Sequence, residues 1–207
     1  MEMIQLHEGN LEQTAKKAAR VLSDGGIVLF PTDTLYGLAV DASDTDALER
    51  LKELKGAERR KPISVIVPDV KSIEHYATLD EVAGAFAKQF LPGPLTLVLP
   101  SKGSLPEELT LNGQLGIRIP NDLFTQALSK VFDRPYTATS ANRTGLQTPE
   151  TVTDFMTHFG ASVANIDLII DAGPRGGVLP STVVGFRDGV PIVLREGVIQ
   201  RAQLNIQ

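Results

Sequence analysis

Apolar residues along this chain switch repeatedly between a helical spacing and short continuous runs. Leu11, Ala15, Ala18 and Leu22 recur at three- and four-residue intervals, the face of an amphipathic helix, and Gly25-Gly26 closes it. Residues 27–30 read as a buried strand ending at Pro31. Ala47, Leu48, Leu51 and Leu54 form a second stripe, with Asp44 placed to cap it. Residues 63–67 predict a strand, 79–90 a helix and 95–99 a strand; 115–119 predict a strand leading through Asn121 into a helix that ends near Phe132. Thr148 followed by Pro149 predicts a helix start. The closing strands fall at 168–170, 182–186 and 192–194. Arg187-Asp188-Gly189 between the last two is a hairpin signal, so part of the sheet is antiparallel. With no repeat and no linker, the expectation is one mixed α/β domain over residues 1–207.

Composition narrows the chemistry. The chain has no Cys, which excludes a disulfide framework, a thiolate nucleophile and Cys-based zinc sites. His7, His75 and His158 are too scattered to suggest a His-rich metal cluster. A net charge of −5 is too mild and of the wrong sign for a wholly basic nucleic-acid coat, though it allows a local basic patch. No apolar run approaches the roughly 18 residues of a membrane helix, and the acidic N-terminus lacks the apolar core of a signal peptide. The expectation is a cytoplasmic protein with no membrane partner.

Four segments carry polar residues at strand ends, where α/β sheets build sites. In Pro31-Thr32-Asp33-Thr34-Leu35-Tyr36-Gly37-Leu38, two hydroxyls flank an acid directly after a buried strand. This suits ligand binding, and equally a turn with its own local hydrogen bonds. Residues 50–62 hold Arg50, Lys52, Lys55, Arg59, Arg60 and Lys61 against Glu53 and Glu58, a local net charge of +4. Part of that complements a helix C-terminus; the excess after Gly56 suits a phosphate-bearing ligand or a solvated loop. Thr137, Thr139, Ser140 and Asn142 cluster hydroxyls and an amide suited to an amino acid or nucleotide. Arg118 and Arg195, in or at the end of apolar strands, require partners: a buried carboxylate of this chain, or a ligand's carboxylate or phosphate. No GxSxG elbow, Walker A or GxGxxG pattern occurs, and Gly173-Pro174-Arg175-Gly176-Gly177 reads only as a flexible turn.

Taken in order, PTDTLYGL, the basic stretch ending KPISVIV, PGPLTLVL, GIRIP, TSAN, PSTVV and LREG resemble the YrdC/TsaC family, the threonylcarbamoyl-AMP synthases. The resemblance runs from about Ile27 to Gly197. It implies a twisted mixed parallel/antiparallel sheet with helices packed around it and a large concave basic cavity. It also implies the single-domain form of the family, since the chain ends soon after LREG. The implied activity is nucleotidyl transfer: L-threonine, bicarbonate or carbon dioxide, and ATP yield threonylcarbamoyl-AMP and pyrophosphate, which feed N6-threonylcarbamoyladenosine formation in tRNA. By the same resemblance Lys55, Ser140 and Asn142 are catalytic positions. Thr34, Arg118, Ser140 and Ser181 hold threonine; Lys55, Lys61, Asn142 and Arg195 surround ATP. Mg²⁺ arrives with the nucleotide, because no carboxylate cluster forms a dedicated cage. The implied partners are tRNA or other double-stranded RNA and a downstream threonylcarbamoyl-transferase. A site rich in Lys, Arg and hydroxyls but poor in His fits this chemistry, in which a carbamate is already a nucleophile and needs positioning and charge neutralisation.

One signature position departs from the family pattern Lys-x-Arg: here it reads Lys55-Gly56-Ala57. In an extended segment residues 57, 59 and 61 share a face with about 7 Å between neighbours, so Arg59 is placed to serve the nucleotide in place of the missing Arg, whereas Arg60 points away. Two alternatives follow. Ala57 favours a YciO-type relative that binds RNA or a nucleotide without the synthase chemistry. Carbamoyl transfer to another acceptor is disfavoured by Thr34, Arg118 and Ser181.

Overall fold

The computed structural model describes residues 1–56, 62–175, 177, 179–204 and 206. Its elements in chain order are β1 Glu2–Gln5, α1 Leu11–Ser23, β2 Val28–Phe30, β3 Gly37–Ala39, α2 Thr45–Lys55, β4 Val65–Ile66, α3 Val70–Tyr76, α4 Glu81–Phe90, β5 Leu95–Pro100 and β6 Thr110–Leu111. They continue with β7 Gln114–Arg118, α5 Leu123–Val131, β8 Tyr136–Thr137, β9 Thr139–Ser140, α6 Val152–Phe159, β10 Leu168–Asp171, β11 Thr182–Arg187 and β12 Val190–Arg195.

Helices α2 to α5 each begin at an aspartate whose side chain caps the helix. Asp44 accepts from the backbone N–H of Asp46 and Ala47, Asp69 from Ser72, Asp80 from Ala83, and Asp122 from Phe124 and Thr125. α2 ends at Gly56, whose φ of 59° lies in the left-handed region that a glycine adopts without strain. The start expected at Thr148-Pro149 is displaced. Thr151 is the cap, accepting from Asp154 N, and α6 begins at Val152, because Val152 and Phe155 are the residues with apolar surface to bury.

The mixed α/β expectation holds, with helices packed around twisted sheets of both strand senses. Hydrogen bonding divides the strands into two ladders. One runs β1-β10-β2-β3-β9, the other β12-β11-β5-β7-β4-β8, with β6 on β7. In the first ladder β1, β10 and β2 are parallel, while β3 turns back against β2 and β9 against β3. In the second, β11 is parallel to β5 and β4 to β7, and the remaining pairings are antiparallel. The hairpin expected at Asp188-Gly189 is present: both residues have positive φ, the two-residue turn that matches strand twist.

The ladders meet in one segment. β8 pairs with β4 in the second ladder, and two residues later β9 pairs with β3 in the first. Across this seam Thr137 N donates to Val40 O at 2.9 Å and Ala138 N to Ser64 O at 2.7 Å. Gly37 leaves room there for the Phe30 ring, from which a Cβ would sit 3.0 Å, a contact the buried ring would have to shift to relieve. One apolar cluster packs α1 and α5 around Phe30, Phe124 and Tyr136; the other lies under α2 and α6. Among the described residues no helix is long and apolar enough to cross a membrane.

Because α2 carries Lys55 in its last turn, its capping bears on the site. Asp44→Ala is expected to lower stability by about 1 kcal/mol, measured as a shift in the urea midpoint with an unchanged slope.

Candidate functional site

A cleft of about 1210 Å³ opens along the seam between the two ladders. Thr34, Lys55, Arg118, Ser140, Asn142, Ser181 and Arg195, singled out from scattered parts of the sequence, all line it. Arg59 and Lys61, together with Ala57, lie outside the described residues.

Arg118 ends β7 and is 8% exposed. Its guanidinium donates to Asp33 Oδ1 and, at 2.7 Å, to Thr34 Oγ1. The other Asp33 oxygen accepts from the Asn121 backbone N–H at 2.9 Å. Of the two partners open to Arg118 on sequence grounds, a carboxylate of this chain is thus one it has. Burial depresses the Arg118 pKa, and the Asp33 charge opposes that shift; an arginine so paired remains charged. Its Nε is buried with no hydrogen-bond partner.

On the opposite wall, Lys55 donates through Nζ to the backbone carbonyls of Ser140 and, at 2.8 Å, Asn142. The Thr144 N–H returns a bond to Lys55 O at 3.0 Å. This lysine therefore ties the end of α2 to the TSAN turn. Within the turn Ser140 Oγ donates to Asn142 Oδ1, and the Asn142 amide donates to Leu146 O at 2.6 Å and Arg143 O at 3.0 Å. The third wall is Ser181, whose hydroxyl lies 2.9 Å from Thr96 Oγ1 and whose carbonyl accepts from Arg195 at 2.8 Å. Burial, and then the like charge of Arg118, lower the Arg195 pKa. Two cations that disfavour each other across one cleft are a place for an anion.

Sequence reasoning passed over several residues here. Ser64 and Thr96 line the cleft, and each is a polar residue in an apolar run, the same signal that flagged Arg118. Tyr36 lay inside a chosen motif but drew no role. Its phenol donates to Gly173 O at 2.7 Å and accepts from Ala172 N at 2.9 Å, and burial pushes its pKa up to about 12. Residues 173–175 of the segment read as only a flexible turn are thus anchored: Tyr36 holds Gly173, Arg175 N donates to Glu150 O at 2.7 Å, and the Arg175 guanidinium lies 3.8 Å from Asp122. Among the described residues no group of three or more His, Asp or Glu side chains could hold a metal ion.

The family model Sua5_yciO_yrdC, described as telomere recombination, matches residues 20–197. The chain belongs to this family. A Methanocaldococcus jannaschii member provisionally named threonylcarbamoyl-AMP synthase is 36% identical over 96% of this chain and 94% of its own length. The Bacillus subtilis threonylcarbamoyl-AMP synthase is 34% identical over 91% of this chain. The chain spans only 54% of that longer relative. Escherichia coli YciO, an uncharacterized member, is 28% identical over 93% of this chain. In three dimensions the chain is similar to Pyrococcus abyssi Sua5 complexed with L-threonine, with a TM-score of 0.91 at 31% identity over 99% of this chain and 60% of that one. It is also similar to the E. coli YciO structure, with a TM-score of 0.83 at 25% identity over 96% of this chain and 94% of that one.

Two outcomes follow from these contacts. Asp33→Ala leaves a buried guanidinium without its counter-charge and is expected to cost about 3–5 kcal/mol in chemical denaturation. For Tyr36, the unfolded chain releases the phenolic proton near pH 10 and the folded chain near 12. In that window the folded state holds the extra proton, so stability falls as pH rises. Tyr36→Phe removes this part of the alkaline loss, and urea unfolding at about pH 9 and about pH 11 should show wild type losing more than the variant.

Proposed function

We propose that this protein is a threonylcarbamoyl-AMP synthase, joining L-threonine, bicarbonate or carbon dioxide, and ATP. The observation that carries the reading is the convergence of Thr34, Arg118, Ser140 and Ser181 with Lys55, Asn142 and Arg195 on one cleft of about 1210 Å³. That exceeds the roughly 300–1,000 Å³ of an ordinary small-molecule pocket and suits two substrates side by side. The names of the relatives supply the chemistry that such a site would perform.

In this reading the threonine amine combines with carbon dioxide and loses a proton, giving a carbamate. A carbamate oxygen bonds to the α-phosphorus of ATP, the bond to the β-phosphate oxygen breaks, and pyrophosphate leaves. Threonine lies between Thr34, Arg118, Ser140 and Ser181, its carboxylate sharing Arg118 with Asp33. The nucleotide lies against Lys55, Asn142 and Arg195, with Arg59 and Lys61 as further cations from the adjoining segment. These groups supply positioning and charge, which this reaction class uses more than a titrating base. Mg²⁺ would accompany the triphosphate and offset its charge, since among the described residues no carboxylate cluster could hold a metal ion. The product would pass to a downstream threonylcarbamoyl-transferase that modifies tRNA, and the setting is cytoplasmic.

Ala57 supports a second reading, a YciO-type protein that binds nucleotide or RNA without this chemistry. Pyrophosphate release separates them. The synthase requires L-threonine and bicarbonate together, with Ser or Gly substituting poorly, and Lys55→Ala lowers its rate about 10²-fold or more. ATP or RNA binding without threonine-dependent release supports the second reading, and RNA affinity should then fall steeply with salt. If Arg59 serves in place of the missing Arg, Arg59→Ala weakens ATP binding far more than Arg60→Ala; equal effects sink that assignment.

A further inference from the structure

The hydroxyls of Thr32 and Thr34 have a polarity that proton counting reveals. Thr32 Oγ1 lies 2.6 Å from the Leu35 carbonyl, which only accepts, so the one hydroxyl proton of Thr32 is committed there. The same oxygen accepts the Thr34 backbone N–H at 3.1 Å, leaving it one lone pair. Thr34 Oγ1 lies 3.1 Å from Thr32 Oγ1. Since Thr32 has no proton left to give, Thr34 is the donor. Arg118 occupies one of the two lone pairs on Thr34 Oγ1, donating at 2.7 Å. One lone pair remains, on a side chain 3% exposed that lines the cleft.

We infer that Thr34 meets the amino-acid substrate as an acceptor only, so the group against it is a donor, the hydroxyl or the amine of threonine, and not the carboxylate. The inference rests on the threonine reading above and deepens it. A carboxylate at Thr34 would set lone pair against lone pair, a costly arrangement in a buried site. It is left to the cations of the cleft, and the substrate lies with its donors toward the Thr32–Thr34 turn. A relay that runs from substrate through Thr34 and Thr32 to a backbone carbonyl cannot reverse, because the carbonyl has no proton to return.

Calorimetric titration of wild type, Thr34→Val, Thr34→Ser and Thr32→Val with L-threonine tests this, with ATP titration and circular dichroism alongside. Thr34→Val should weaken threonine binding about tenfold, while Thr34→Ser, which keeps the acceptor, stays within about twofold. Thr32→Val should also weaken it, because the Thr34 proton loses its acceptor. L-α-Aminobutyrate and β-hydroxybutyrate identify the donor. If the hydroxyl donates, Thr34→Val leaves α-aminobutyrate binding unchanged; if the amine donates, it leaves β-hydroxybutyrate binding unchanged. Wild-type affinity in Thr34→Val overturns the contact, and wild-type affinity in Thr32→Val overturns the fixed polarity. Parallel loss of ATP binding assigns Thr34 a structural role and overturns the inference. A wild-type chain that binds ATP but no threonine overturns the synthase reading and this inference with it.

Discussion

A buried charge needs a partner, and the site is organised around the way Arg118 meets that need. β7 brings the guanidinium into the interior, where burial alone would disfavour it. Asp33, in the loop after β2 of the other ladder, supplies the opposite charge. Asp33 is itself held by the Asn121 N–H. The pair thereby locks the loop after β2 to the end of β7, and the Thr32–Thr34 turn and the wall of the cleft lie where that lock puts them.

The opposite wall rests on a second cation used in a similar way. Lys55 ends a capped helix and spends hydrogen bonds on the carbonyls of the TSAN turn. Between the two walls runs the short seam strand that pairs first with one ladder and then with the other. Each cation is thus both a structural tie and a cleft-lining charge. This dual use explains how a site rich in positive charge persists in a chain whose net charge is −5. It also means that the polarity of the cleft is set by partners behind the lining, not by the lining alone.

Much of this was legible in advance. The spacing of Leu11, Ala15, Ala18 and Leu22 announced α1, Asp44 announced the cap of α2, and Asp188-Gly189 announced the hairpin, because each signal acts between near neighbours. Arg118 and Arg195 stood out as charged residues in or at the end of apolar strands, and Thr34 as one of two hydroxyls flanking an acid directly after a buried strand. Less was legible where the deciding contact lies far along the chain. Thr148-Pro149 looked like a helix start, but burial of Val152 and Phe155 moved it to Thr151. The Gly173–Arg175 turn looked merely flexible because its anchors, Tyr36 and Asp122, are distant in sequence.

The sequence by itself determined the class of the fold, the order of the motifs and the residue types available for chemistry, all of which depend on local periodicity, capping and composition. Tertiary structure alone decided that Asp33, not solvent, faces Arg118, and that Lys55 holds a turn 85 residues away at Ser140. Those are matters of hydrogen-bond direction and burial in the space between elements, and no local spacing encodes them.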